Sequence, residues 1–442
     1  MPLELLQRLS RWGTWFPFVV LVIVNLVASV NRQLVGLIGQ SVKVEFGLSD
    51  TQIGAIGSIV GVVGAILAPL FGQLTDRVDR YRMLFFAILA WSLATFAYGM
   101  AAGFIALAIS LTFLATAEST LSPLSNSLIG DQFQDERRIN ANLIYFAAGA
   151  LTVGFGTFSA SLILHWAERN ADWFAVTGSS PTSWRISMLV VGALGVPLAL
   201  LVLALGRDRR NLVHSRLTDL SDLKHYWRDH WRTLISFNLS NAGYFIAAMS
   251  IMGWMPMYII RHYGLSPAEL GTRMGIVIGI ADVLGIVLGF FAIKKLYAYL
   301  GPLAPRYIFQ TSMVLIAILA AASIAVTDAW VALILLGCQN FLATFGTASF
   351  NNMVQDMSPS EIRGKVCGVN ALFISLASIP GPLAVGMMSD LMGSDGSGLL
   401  PAILIVAIPA LLISSLIYGL TNKSFLHTVN TIKENEQRLF SM

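Results

Sequence analysis

The chain carries one long apolar segment after another, and that succession limits it to a bundle of membrane-crossing helices. A helix needs about 20 mostly apolar residues to cross a bilayer core. Such segments fall near 15–39, 51–74, 83–102, 104–130, 140–166, 185–206, 233–261, 270–293, 307–327, 329–355, 364–392 and 399–421. Together they predict an all-α integral membrane protein with twelve transmembrane helices. A membrane barrel would instead show alternating segments of about ten residues. Composition agrees: 12% of residues are charged, against about 25% in soluble domains. The 38 glycines suit close packing of helix backbones in a bilayer. The first apolar run, from Trp15, has full span length and no small-residue cleavage site after it, so no cleavable signal is expected.

Basic residues set the orientation. With both termini cytoplasmic, most of the 28 Lys and Arg residues fall on that side. Lys43, Arg169, Arg185, Arg261 and Arg273 stay outside, and Arg32 falls within a span. The pI of about 9.1 therefore reflects topology, and no nucleic-acid partner is expected. The predicted location is the plasma membrane, a bacterial inner membrane, with both termini cytoplasmic. Cys338 and Cys367 lie in apolar stretches and read as small packing residues, without a disulfide or metal framework. The six histidines are scattered, with no metal-ligand spacing and no nucleophile–base pairing. No phosphate-cradling glycine loop is present. Neither a membrane-embedded enzyme, such as a lipid-modifying transferase, nor an ATP-driven pump is favoured. No cofactor is expected beyond a proton gradient.

The longest hydrophilic stretch, 207–232, divides the chain into an N-terminal six-helix bundle (1–206) and a C-terminal one (233–421), followed by a cytoplasmic tail (422–442). Leu217, Leu220, Leu223 and Trp227 recur at helical spacing in that stretch. They fit either a solvated linker with one apolar stripe or a helix lying on the membrane surface. The two bundles are related. Asn126, Asp131, Glu136 and Arg138 recur as Asn351, Asp356, Glu361 and Arg363, every offset being 225 residues. Repeats of this kind are typical of secondary transporters, whose substrate site lies where the repeats meet.

Charged side chains inside a span cost roughly 2.5–3.5 kcal/mol each and usually serve function. Three stand out: Arg32 in span 1, Glu118 in span 4 and Asp282 in span 8. Arg32 and Glu118 carry opposite charges, and a mutual ion pair is their least costly arrangement. Such a pair either pins spans 1 and 4 together or couples a protonatable carboxylate to a cationic substrate anchor. Asp282 has no obvious cation in its half and reads either as a coupling group or as a structural hydrogen-bonding one. Polar stripes extend the pattern at helical spacing: Asn25, Ser29 and Arg32; Glu118, Ser122 and Ser125; Asn238, Asn241 and Tyr244; and Asn340, Thr344, Thr347, Asn351 and Gln355. They fall on spans 1, 4, 7 and 10, which are expected to surround a wet cavity while every third helix faces lipid, although any single member more often hydrogen-bonds a neighbouring helix. Phe113, Phe245, Trp254, Met255, Phe341 and Phe345 lie nearby in sequence. Each one singly fits ordinary helix packing; together, with so few fixed charges, they suit an amphipathic substrate with an anionic or polar head.

Between spans 2 and 3, Gly72, Leu74, Asp76, Arg77, Arg80 and Arg82 follow the spacing of a loop in the major facilitator superfamily. The chain resembles that superfamily. The physical sense of the motif is a turn at Gly72, an aspartate able to cap the next helix, and arginines held on the cytoplasmic side. The resemblance implies two pseudo-symmetric six-helix bundles and a cytoplasmic gate formed by Asp76, Arg77 and Arg80. Asp79 stands where that family usually has Gly. Within the superfamily the chain is similar to the bacterial spinster-like group. The residues that carry this likeness are Leu48 to Gln52, Ala90 to Thr95, Glu118, Trp254, Pro256, Arg261 to Ser266, Gly381, Pro382, Gly386, Ser389 and Asp390. That group usually carries an Asp-Arg pair in span 1 working with the span 4 glutamate in proton coupling. Here the pair is Asn31-Arg32, and Asn31 neither takes nor releases a proton. Glu118 or Asp282 then carries the proton, or the protein is a facilitator.

The expected function is a secondary transporter, a monomer surrounded by membrane lipids, moving a small amphipathic organic anion by alternating access. A lysophospholipid or sphingosine-phosphate-like lipid is one substrate class. Small organic or aromatic carboxylates or drugs are another, and a non-transporting membrane sensor is a further reading.

Overall fold

The structure is a computed structural model describing residues 3–75, 78–133, 137, 141, 144–145, 148–149, 151–174, 182–204, 221–347, 349–359, 361–393 and 397–440. Regular structure among them is helical throughout. The main helices are α1 (Leu3–Phe46), α2 (Asp50–Thr75), α3 (Arg80–Gly99), α4 (Phe104–Ser119), α5 (Leu121–Gln132), α6 (Thr152–Arg169) and α7 (Ser183–Ala204). They continue as α8 (Ser221–Asp229), α9 (Trp231–Tyr263), α10 (Pro267–Leu300), α11 (Ala304–Ala322), α12 (Ala329–Thr347) and α13 (Phe350–Asp356). The last four are α14 (Arg363–Ala377), α15 (Pro380–Met392), α16 (Leu399–Leu420) and α17 (Asn422–Phe440).

Nine stretches among the described residues are long and apolar enough to cross a membrane, and one of them, Pro267–Ala325, holds both α10 and α11. The fourth span (α4 with α5) and the fifth (ending in α6) complete the twelve segments read from sequence. Large apolar side chains stay exposed along these helices, among them Phe86, Leu194, Phe290 and Leu416. A soluble monomer does not display so much apolar surface, whereas a bilayer covers it.

Span 4 is broken at Thr120, and Pro123 has no N–H to donate to the Ser119 carbonyl. Pro380 and Pro382 break span 11 between α14 and α15 in the same way. Glycines end two helices: Gly47 (φ 60°) and Gly264 (φ 67°) adopt the left-handed conformation that closes α1 and α9.

The chain clusters into two compact units. The first is Met1–Leu48, Val62–Arg216 and Ser266–Ile276; the second is Ser49–Gly61, Leu217–Leu265 and Val277–Met442. Thus the start of α2 belongs to the second unit and the start of α10 to the first. In the first unit, Ser92 Oγ of α3 donates to the Gly192 carbonyl of α7, and Gly156 lets α6 seat against Ser29 of α1. In the second, Gly243 of α9 lies against Ala410 and Ser414 of α16. Small residues at these crossings let backbones approach, the usual basis of helix association in lipid.

Several expectations are corrected here. Gly72 lies within α2, which runs to Thr75, and makes no turn. Asp79 caps α3, its Oδ1 accepting from Tyr81 N at 3.0 Å and Arg82 N at 3.1 Å. The residue that departs from the family pattern therefore supplies the cap assigned to Asp76. Asp79→Ala is expected to lower stability by about 1 kcal/mol, read as a lower thermal midpoint in detergent. Cys338 and Cys367 are exposed rather than packed. In the 207–232 stretch, α8 turns its aromatic side chains toward protein: Tyr226 Oη donates to the Met357 carbonyl, and Trp227 stacks on Phe373. Leu217 and Leu220 lie outside the described residues. Residues 422–440 form a docked helix, α17, whose Phe425, Val429 and Ile432 are buried. Arg306 of α11 holds it, its Nε donating to Asn422 Oδ1 at 2.9 Å and its guanidinium lying over the Phe425 ring.

Candidate functional site

The first cluster joins α1 to the break in span 4. Glu118 is the second-last residue of α4, midway along that span and just before the Thr120 break. Two consecutive α1 residues straddle its carboxylate. Asn31 Nδ2 donates to Glu118 Oε1 at 3.3 Å, and Arg32 Nε lies 3.3 Å from Oε2. Burial is uneven: the Arg32 side chain is 57% exposed and that of Glu118 only 8%. Arg32 meets the carboxylate through Nε, and its two terminal nitrogens have no partner among the described residues. A bidentate guanidinium edge is thus left for an anion. Asn31 is fully buried, and its Oδ1 has no partner among the described residues. Its amide occupies a carboxylate oxygen, so it fixes the orientation of Glu118 without exchanging a proton. The side chain of Ser122 lies outside the described residues.

The second cluster surrounds Asp282 of α10. Asn340 Nδ2 of α12 donates to Asp282 Oδ1 at 2.6 Å, while Oδ2 is buried without a partner among the described residues. Gly285, one turn on from Asp282, allows the close approach of Phe341 and Thr344. Thr344 Oγ1 donates back to the Asn340 carbonyl at 2.6 Å, fixing the turn that presents the amide. Thr347 Oγ1 likewise donates to the Thr344 carbonyl at 3.3 Å. Beside them lies a cavity of about 180 Å³ lined by Tyr244, Ile251, Ile316, Gln339, Asn340 and others, mostly apolar. It lies wholly within the second unit.

The span 7 stripe separates into two fates. Tyr244 lines that cavity, while Asn238 and Asn241 take the other fate open to such stripe members and bond to neighbouring helices. Asn238 Oδ1 accepts from Asn370 Nδ2 at 2.9 Å, and Asn241 Oδ1 accepts from Tyr418 Oη at 2.9 Å. Both asparagines are buried and pin α9 to α14 and α16. In lipid-embedded helices such polar side chains associate helices by hydrogen bonding, and spacing alone does not separate that role from a cavity lining. Trp254 and Met255 are buried too, with Trp254 Nε1 donating to the Pro382 carbonyl at 3.2 Å. Phe113 is 66% exposed. The side chain of Asn351 lies outside the described residues.

Of the gate residues, Asp76 and Arg77 lie outside the described residues. Arg80 is buried, and its Nη1 donates to Ser127 of α5, at 2.9 Å to the carbonyl and 2.7 Å to the hydroxyl. It therefore ties the start of α3 to the end of span 4. Arg82 is exposed.

A third cluster went unassigned in the sequence. Arg261, at the end of α9, makes a bidentate pair with Asp50 at the start of α2, at 2.8 and 2.5 Å. Ser389 of α15 donates to Asp50 Oδ2 at 2.7 Å. Asp390 then caps α2, accepting from Asp50 N at 3.0 Å and Thr51 N at 2.8 Å. Gly386 and Gly54 admit the backbones at this contact. The capping pair Ser49 and Gln52 was visible in the sequence, but the partners lie more than 200 residues away.

The sequence profile described as the Major Facilitator Superfamily matches residues 21–382, most of the chain. The chain belongs to the Major Facilitator Superfamily. Its twelve helices are the two six-helix bundles of that fold, and it is an integral membrane protein and a secondary transporter. It is 23% identical over 423 residues to an MFS-type efflux pump of Mycolicibacterium smegmatis, covering 93% of each chain. It is 23% identical over 300 residues to the protein spinster of Drosophila melanogaster, covering 64% of this chain but only 47% of that one. The chain thus spans about half the length of that spinster relative. A crystal structure of a bacterial homolog of the human lysosomal transporter spinster, inward-facing and unoccupied, superposes with a TM-score of 0.74. The overlap covers 96% of this chain and 98% of that one at 17% identity, a likeness of fold. The superfamily chain is therefore similar to spinster proteins in both sequence and fold.

Proposed function

We propose that the protein moves an amphipathic organic anion across a bacterial inner membrane by alternating access, driven by protons. Both termini would be cytoplasmic, the bundles would span 1–206 and 233–421, and the protein would act as a monomer. The observation that carries this reading is the uneven pair: a buried Glu118 that meets a largely exposed Arg32 through Nε alone. An anion docking on the free edge of Arg32 competes with Glu118 for the same cation. A buried carboxylate that loses its counter-charge takes up a proton rather than stay ionised. Substrate binding and protonation of Glu118 are then linked, which is what coupling requires. Asn31 keeps Glu118 oriented in both states. Asp282, held by Asn340, is the second protonatable group, and Tyr244 and Asn340 offer polar contacts in a mostly apolar cavity. A lipid-like anion such as a lysophospholipid or sphingosine phosphate is the substrate class that the resemblance to the spinster-like group implies. The second reading is a smaller organic or aromatic carboxylate or a drug.

The test is uptake into proteoliposomes of labelled lysophospholipid and of small aromatic carboxylates, with and without an imposed pH gradient. Accumulation of either against its gradient is the expected result. Equilibration without accumulation would make the protein a facilitator, and absence of flux for every organic anion would remove the transport reading of this site.

A further inference from the structure

In the second unit, an open groove of about 980 Å³ lies between the start of α9 and the junction of α16 with α17. It straddles the ends of two membrane-crossing helices, since one span begins at Trp231 and the other ends at Leu420. Its two levels differ in chemistry. On the membrane side it is lined by Ile235, Leu239, Ile417 and Leu420. Ile235, Leu239 and Leu420 are 43%, 54% and 75% exposed, a surface suited to acyl chains. At and beyond the span ends the lining becomes basic, with His230, Arg232, Lys423 and His427. Arg232 and Lys423 are exposed, and neither has a carboxylate partner among the described residues. The one acid in the lining, Asp229, is paired with Arg228 at 3.4 Å. Trp231, half exposed, marks the boundary between the levels, where tryptophan concentrates in a bilayer. The walls are fixed: Thr233 Oγ1 shares hydrogen bonds of 2.8 Å with the hydroxyls of Ser424 and Thr428.

We propose that this groove binds an anionic phospholipid, with its phosphate between Arg232 and Lys423 and its chains along Ile235, Leu239 and Leu420. Charge selects the headgroup, since basic pockets at the membrane surface attract anionic lipids and zwitterionic ones gain little from them. The apolar level selects a lipid over a free phosphate, which would leave that surface uncovered. The bound lipid bridges α9, α16 and α17, so it reinforces the docking of the C-terminal helix. The site is separate from both the Arg32–Glu118 cluster and the Asp282 cavity, and it does not depend on the transported substrate.

Native mass spectrometry of the full chain, purified with equal phosphatidylglycerol and phosphatidylcholine, tests this. The parent should retain phosphatidylglycerol preferentially. The double variant R232Q/K423Q should lose that preference by about tenfold or more, while K294Q/K295Q, which removes two exposed lysines of α10, should keep it. Excess inorganic phosphate should not displace the lipid. Equal retention of the two lipids by the parent, equal loss in both double variants, or displacement by phosphate would each overturn the proposal. If R232Q/K423Q does not fold, a phosphatidylglycerol with diazirine-bearing chains is crosslinked to the parent. Labelled peptides from 231–239 and 417–428 support the site, and labelling confined to other segments contradicts it.

Discussion

Glu118→Gln is expected to abolish accumulation driven by a pH gradient while preserving folding and passive exchange of the substrate. The amide has the shape of a protonated carboxylic acid and keeps an oxygen for the Asn31 Nδ2 bond, but it neither binds nor releases a proton. Arg32 is then released permanently, and its whole guanidinium is open to an anion. Substrate affinity should hold or rise as coupling disappears, a separation that a merely unfolded protein would not give. Arg32→Ala should fail differently. It removes the proposed anion anchor and leaves Glu118 buried without its cation, so both exchange and accumulation should fall by about tenfold or more, the loss of one charge-assisted contact. Paired counterflow and gradient-driven uptake measurements distinguish the two patterns. If both variants transport like the parent, the ion pair only pins α1 to α4.

The second large effect is expected at Asp50 and Arg261. Their side chains are 3% and 12% exposed, and the pair is bidentate. Removing one partner of such a buried pair costs about 3–5 kcal/mol, because the other charge is stranded. Arg261→Ala should therefore destabilise strongly, and Arg261→Lys should recover only part of the loss, since an ammonium cannot reproduce the fork. The double variant Asp50→Ala/Arg261→Ala should be less destabilised than the sum of the single ones. There is a functional side as well. Under the proposed alternating access, the start of α2 would separate from α9 and α15, where Asp50, Arg261, Ser389 and Asp390 hold it. The double variant should label faster with a thiol reagent at a cysteine placed at Gln52. Unchanged labelling would mean that the cluster caps α2 without acting as a gate.

The twelve spans and the two-bundle fold were legible in the sequence because apolar runs of bilayer length leave few alternatives. The Arg32–Glu118 contact was legible for a related reason: two opposite charges placed inside membrane spans have little else to meet. The other polar residues were less readable. Asn238 and Asn241 have the spacing of a cavity lining, yet their partners Asn370 and Tyr418 lie on other helices. Nothing in the spacing of one helix says whether an amide will face water or a neighbour. Asp282 lacked a cation to predict as partner and found an amide, Asn340, 58 positions on. The Asp50 cluster was hidden because its charged members sit at or next to the ends of the spans, where charge carries little cost and so little warning. Asp79 shows the limit of carrying over a motif. Its departure from the family pattern is what caps α3.

Proton uptake on substrate binding tests the central claim most directly. The anion that accumulates in the proteoliposome screen is added to detergent-purified protein in weak buffer, and the change in pH is followed for the parent and for Glu118→Gln. Linkage through Arg32 predicts that the parent takes up protons as the anion binds, and that the Glu118→Gln variant binds the anion with no proton uptake. Binding without proton uptake by the parent, or equal uptake by both proteins, would contradict the assignment of Glu118 as the coupling carboxylate.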